Sequence, residues 1–131
     1  MLSRVKISNS SKPVSAAFGI SQSELDEHTS VISVNGELDL STAPRLKWML
    51  IDSLETGHGQ VVIDLSHTTF MDSTALGVLV AVKRKLDSDA RLSIVCAQPT
   101  VLSIFELAGM DGVFTIFPTI EDALACVART S

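Results

Sequence analysis

Val61-Val62-Ile63-Asp64-Leu65-Ser66-His67-Thr68-Thr69-Phe70-Met71-Asp72-Ser73-Thr74-Ala75-Leu76-Gly77-Val78-Leu79 is the stretch that decides the fold. Its opening run, Val61 to Leu65, has the near-continuous apolarity of a strand covered on both faces, as strands with parallel neighbours are. Asp72, Ser73 and Thr74, placed just before Leu76, Leu79 and Val80, carry the signature of a helix N-terminus. The reading is a buried strand that delivers the Ser73 hydroxyl to a helix start, where backbone N–H groups point outward.

Downstream, the helix runs to about Leu86, and Leu92, Ile94, Val95 and Cys96 follow as a second strand. This spacing predicts a βαβ unit with a right-handed crossover helix between parallel strands. Val101, Ile104, Phe105 and Leu107 then predict a short helix ended by Gly109. An edge strand over Val113, Phe114, Ile116 and Phe117 and a last helix over Glu121 to Val127 complete the chain.

Upstream, the pattern predicts two antiparallel strands, one within Ala16 to Leu25 and one over Val31, Ile32 and Val34. Asp26-Glu27-His28-Thr29 is the turn between them, and Asn35-Gly36 follows the second. Ser41-Thr42-Ala43-Pro44 is a helix start, a hydroxyl cap followed by a proline whose missing N–H has no intrahelical partner to lose. That helix extends to about Leu54 with a stripe of Ala43, Leu46, Leu50 and Leu54, and Gly57 is its left-handed cap. Trp48 projects opposite the stripe, packed half-exposed against an arm or loop, and is a candidate for partner contact.

The chain has 131 residues, 46% of them apolar and 19% charged, which fits one globular domain with a real core. Residues 1–13 are polar and aperiodic and read as a flexible arm; residues 14–131 form the domain. A net charge of -5 disfavours a nucleic-acid or anionic-membrane partner. The longest apolar run, Ala75 to Val82, falls far short of the roughly 20 residues a membrane span needs. The N-terminus lacks a signal-peptide pattern, so the expected location is cytoplasmic. Cys96 and Cys126 read as reduced, largely buried thiols, and His28, His58 and His67 as separate loop residues without metal-ligand spacing; neither a metal nor a cofactor is expected.

The helix after Ser73 has two faces. Leu76, Leu79, Val80 and Leu86 point to the core, whereas Thr74, Gly77, Val78 and Ala81 cluster on the other side, ending at Lys85. A helix apolar all round for two turns is either buried on both sides or keeps its second face for a partner. Lys83, Arg84 and Lys85 in the last turn complement the helix dipole, and Asp72, Ser73 and Thr74 would serve as caps in any case.

Gly36-Glu37-Leu38-Asp39 with Ala43-Pro44, then Asp64-Leu65-Ser66 and Phe70-Met71-Asp72-Ser73-Thr74-Ala75-Leu76-Gly77, resemble the anti-sigma factor antagonists of the STAS domain family. The resemblance covers roughly residues 16–128, with two separated motifs in the right order and a helix between them. It implies an α/β fold, a STAS-like single domain with a small mixed β-sheet of about four to five strands packed with about four helices, and no catalytic activity. It also implies partner switching in transcription regulation. The unphosphorylated protein binds an anti-sigma factor serine kinase and frees the sigma factor. The kinase phosphorylates the serine after the motif aspartate, here Ser73, and a PP2C-type serine phosphatase resets it.

On this reading the partner-binding residues are Asp39, Asp72, Ser73, Thr74, Gly77, Val78 and Ala81. Phosphorylation adds about -1.5 to -2 charge at one point, which the helix N-terminus tolerates but a closely packed interface beside Asp72 does not. Asp39 matches a family position near the phosphorylated loop, and turn capping alone would also account for it. Ala75 stands where the family usually has glycine. It favours the helix by about 1 kcal/mol but adds a methyl group that a closely approaching kinase backbone would have to clear, so its effect on partner choice and phosphorylation rate is open at this point. Two alternatives stand beside this reading: a STAS scaffold or sensor subunit of a larger signalling assembly, and a hydrolase using Ser73 with His67 and Asp39 or Asp64. The second lacks the glycines that flank a nucleophile elbow, since Met71 and Ala75 occupy those places.

Overall fold

The computed structural model describes residues 18–55, 59–86 and 91–130. The expected arm over residues 1–13, the Gly57 cap and His58 lie outside them. In chain order the elements are β1 (Gly19–Glu24), β2 (Thr29–Leu38), α1 (Ala43–Glu55), β3 (Gln60–Met71), α2 (Ser73–Arg84), β4 (Leu92–Val95), α3 (Pro99–Leu107), β5 (Thr115–Phe117) and α4 (Ile120–Thr130). The strands form one five-stranded sheet in the order β1-β2-β3-β4-β5. The β1–β2 pair is antiparallel and the other three pairs are parallel, so the sheet is mixed.

The hairpin forms because Asp26 closes its turn: Oδ1 accepts from the His28 and Thr29 N–H groups, both at 2.8 Å. An aspartate that binds the backbone two and three residues on fixes a turn with no demand on the flanking strands. These bonds hold its carboxyl below the usual carboxylate range.

Alternation along the central strands divides the interior in two. Ile32, Val34, Val61, Ile63, Leu65, Leu92 and Ile94 face α1, α2 and α3, which supply Leu46, Leu50, Leu76, Leu79, Val101 and Phe105. Val31, Val62 and Val95 face the other way and are covered by Ala123 and Val127 of α4. Both faces are therefore dry in the middle of the sheet, the condition that made Val61 to Leu65 a continuous apolar run. Phe114 is buried ahead of β5 and meets Phe105 edge-on, with ring centroids 5.6 Å apart.

Several boundaries depart from the periodicity. β2 does not stop at Asn35-Gly36 but runs to Leu38, and β3 does not stop at Leu65 but runs to Met71. The two extensions pair with each other, and their register shifts between Ser33 and Asn35 and again between Gly36 and Glu37. Gly36 takes φ of 92°, a conformation that side chains disfavour, so the glycine serves a bulge in a continuing strand, not a turn. His67 consequently lies in β3, paired with Asn35, and not in a loop. In α1 the buried position of the last turn is Ser53, with Leu54 only half-buried. α3 begins earlier, at Pro99, and β5 begins later, at Thr115.

Trp48 is more exposed than half, at 68%, beside Ile20, Gln22, Arg45, Met49 and Asp52. Both cysteines are free, Cys96 buried and Cys126 half-buried, and burial pushes the Cys96 thiol pKa up. No helix among the described residues is long and apolar enough to cross a membrane.

Candidate functional site

Parallel pairing of β2, β3, β4 and β5 sends their C-terminal ends to one edge of the sheet, where α/β folds commonly build their sites. At this edge Leu38 pairs with Met71. The Asp72 N–H, one residue beyond β3, donates to the Leu38 carbonyl at 3.0 Å. That bond sets the turn after β2 beside the turn after β3.

The first turn is held by Asp39. Its Oδ1 accepts from Ser41 N at 2.9 Å, Ser41 Oγ at 2.7 Å and Thr42 N at 3.2 Å. Thr42 Oγ1 accepts from the Asp39 N–H at 2.8 Å and donates to the Glu37 carbonyl at 2.8 Å. The Asp39 carbonyl then takes the Ala43 N–H at 2.8 Å, opening α1. The Ser41 hydroxyl, foremost among these donors, holds the Asp39 carboxyl below the usual carboxylate range. Asp39 thus caps a turn, and the capped turn borders the Ser73 segment.

The second turn is shorter. Asp72 is extended, with φ of -105° and ψ of 179°, and its Oδ1 accepts from the Ala75 N–H at 3.1 Å. Asp72 is therefore the N-cap and Ser73 the first helical residue. Ser73 is exposed, its side chain in no hydrogen bond among the described residues. The unpaired N–H groups of the first turn give it the positive end of the helix dipole.

Thr74, Gly77 and Ala81 are exposed along α2 and Val78 is half-buried, so the anticipated second face exists. A Cβ added at Gly77 would meet nothing within 4 Å. On the core side Leu76 and Leu79 are buried as expected, whereas Val80 and Leu86 are only half-buried and Val82 takes the inward place. Ala75 requires a correction. It is fully buried, its methyl group turned into the core, so it cannot obstruct a partner approaching the open face.

The hydrolytic constellation is not assembled. Asp64 Oδ1 is taken by Ser66, whose N–H donates at 2.9 Å and whose hydroxyl donates at 2.5 Å. Asp39 is taken by Ser41 and Thr42, and the His67 side chain makes no hydrogen bond among the described residues. No group of acidic, histidine or cysteine side chains among the described residues could hold a metal ion.

Two residues at this edge escaped the sequence reading. Leu40, in the Asp39 turn, is 72% exposed, and Phe70, before Met71, is 40% exposed. The signal available for Leu40 was an apolar residue inside a turn otherwise built of Asp, Ser and Thr. Phe70 gave none, because an aromatic residue at a strand end is ordinarily core.

The STAS domain family model matches residues 21–123. The anti-sigma-F factor antagonist RsfB of Mycobacterium tuberculosis is 32% identical over 97 residues, 74% of this chain and 80% of that one. An anti-sigma factor antagonist from Mycobacterium paratuberculosis superposes with a TM-score of 0.80 at 32% identity, over 88% of this chain and 99% of that one. The anti-sigma factor antagonist SpoIIAA in its unphosphorylated form shares the fold, with a TM-score of 0.73 at 23% identity over 85% of this chain and 97% of that one.

Proposed function

The chain belongs to the STAS domain family, among its anti-sigma factor antagonists, and we propose that it works as a phosphorylation-controlled partner switch with Ser73 as the switch residue. Unphosphorylated, it binds an anti-sigma factor that is also a serine kinase, through Asp39, Asp72, Ser73, Thr74, Gly77, Val78 and Ala81, and releases the sigma factor. The kinase phosphorylates Ser73 and ends the complex, and a PP2C-type phosphatase restores it. The protein itself acts by binding, in the cytoplasm, without a cofactor.

The observation that carries this reading is the position of Ser73: an exposed hydroxyl, without a hydrogen bond among the described residues, at the first residue of α2, beside a face whose exposed residues are small. A hydroxyl in that place is open to a kinase, and the helix N-terminus accommodates the product without unfolding. A docked partner does not, because phosphate bulk and charge enter a close contact next to Asp72.

Intact mass after incubation with ATP and the anti-sigma kinases of the source organism tests it. The expected result is a gain of about 80 Da in the wild type and none in Ser73→Ala, which still binds, whereas Ser73→Asp binds more weakly. Equal labelling of Ser73→Ala would move the switch to another residue. Tight binding with no labelling would favour a constitutive antagonist or a scaffold subunit.

A further inference from the structure

Large apolar side chains remain exposed at a few places among the described residues. Leu107 and Val113 lie around the end of α3, at the edge opposite Ser73, and Trp48 stands on the outer side of α1. Leu40 and Phe70 stand at the Ser73 edge itself, each two residues from one end of the hydrogen bond between Asp72 and Leu38.

Neither is explained by folding. The Asp39 turn is closed by the side chains of Asp39, Ser41 and Thr42, and Leu40 contributes no bond to it. Turns select polar residues and glycine, so a leucine 72% exposed there gains nothing for the fold and adds an apolar surface. Phe70 adjoins the fully buried Met71 on the same strand and pairs with the exposed Glu37. Strand alternation turns it away from the core that Met71 enters.

Each of the two has acidic neighbours: Glu37 pairs with Phe70, Asp39 precedes Leu40, and Asp72 lies two residues after Phe70. Glu37 is exposed, Asp39 and Asp72 are half-exposed, and the hydrogen bonds of both aspartates come from amide and hydroxyl donors, so this edge carries net negative charge. An apolar centre with a charged rim is the usual anatomy of a protein contact, and a carboxylate rim fits a cationic one.

We propose that Leu40 and Phe70 are the apolar anchors by which the unphosphorylated protein holds its anti-sigma factor, seated in a partner pocket with an apolar floor and a basic rim. The inference rests on the antagonist reading above. Anchors buried at the centre of a contact carry a disproportionate share of its affinity, whereas rim charges act chiefly on the rate of encounter. A phosphate on Ser73 adds bulk at the same sheet edge as the anchors, and this steric obstruction opposes docking.

The test uses full-length protein and the recombinant anti-sigma factors of the source organism, with association and dissociation rates measured for wild type, Leu40→Ala, Phe70→Ala, Phe70→Leu and Leu107→Ala. Leu40→Ala and Phe70→Ala should each weaken binding about tenfold or more, mainly through faster dissociation. Phe70→Leu, which keeps an apolar side chain at the site, should fall between Phe70→Ala and wild type, and Leu107→Ala should stay within about twofold of wild type. Raising salt from about 50 to about 300 mM should slow wild-type association several-fold. Binding of Leu40→Ala and Phe70→Ala within about twofold of wild type overturns the anchors, and salt-insensitive association overturns the basic rim. If the wild type binds none of the anti-sigma factors, the antagonist reading fails and takes this inference with it.

Discussion

The Asp72 N–H donates to the Leu38 carbonyl at 3.0 Å, and this single bond fastens the end of β3 to the end of β2. Through it the Asp39 turn and the Ser73 helix start, more than thirty residues apart in sequence, form one edge. Its geometry depends on the two register shifts between β2 and β3, because only the shifted ladder brings Leu38 opposite Met71.

Asp72→Ala removes the side-chain acceptor of the Ala75 N–H and should lower stability by about 1 kcal/mol, whereas Asp72→Asn should lose much less. Urea unfolding of the three proteins measures this. An unchanged midpoint in Asp72→Ala would mean that the cap contributes nothing and that Asp72 is held for the partner alone.

Gly77→Ala should move stability and binding in opposite directions. A glycine inside a helix is less stable than alanine by about 1 kcal/mol, and the added methyl group meets nothing in the free protein. Thermal unfolding should therefore occur at a higher temperature. If Gly77 lies in the proposed interface, binding of the anti-sigma factor should weaken, because the same methyl group would enter the close contact on the open face. A variant that is both more stable and equally tight would remove Gly77 from the interface.

Ala75→Gly, which restores the residue usual in the family, should cost about 1 kcal/mol in helix propensity, with a further loss from the vacated core space. Partner affinity and the rate of Ser73 phosphorylation should not change, because the methyl group faces inward. Faster phosphorylation of this variant would show that the position is read by the kinase after all.

Asp39 has a folded-state pKa below its unfolded one, so its turn adds stability that is complete above the unfolded value and lost as pH falls through the folded value. The acid limb of a stability–pH curve below about pH 4 should therefore be shallower in Asp39→Asn, whose side-chain oxygen still accepts but does not titrate. At neutral pH the variant should be slightly less stable than wild type. Superimposable acid limbs would show that the carboxylate itself is unimportant to the turn.

Local rules made much of the fold legible. The apolar run at Val61 to Leu65, the cap at Asp72 and the proline after Ala43 each state a local preference that packing did not override. Boundaries failed where tertiary pairing supplied what the sequence lacked. Asn35-Gly36 has turn chemistry, yet β3 continues alongside it and satisfies its backbone, so the glycine became a bulge. His67 looked like loop for the same reason, and Ser53 displaced Leu54 because burial in the last turn of α1 depends on what faces it.

The site divides along the same line. The sequence by itself determined Ser73 as a helix-start hydroxyl, a small-residue face after it, and the family to which the motifs belong, since these depend on residue type and spacing within a few turns. Only the tertiary structure decided that Ala75 faces the core, that Asp39 adjoins Asp72, and that Leu40 and Phe70 share their edge. The first rests on how α2 packs against the sheet. The other two rest on a parallel strand pairing over long sequence separation, and local periodicity carries no information about which edge two distant turns will share.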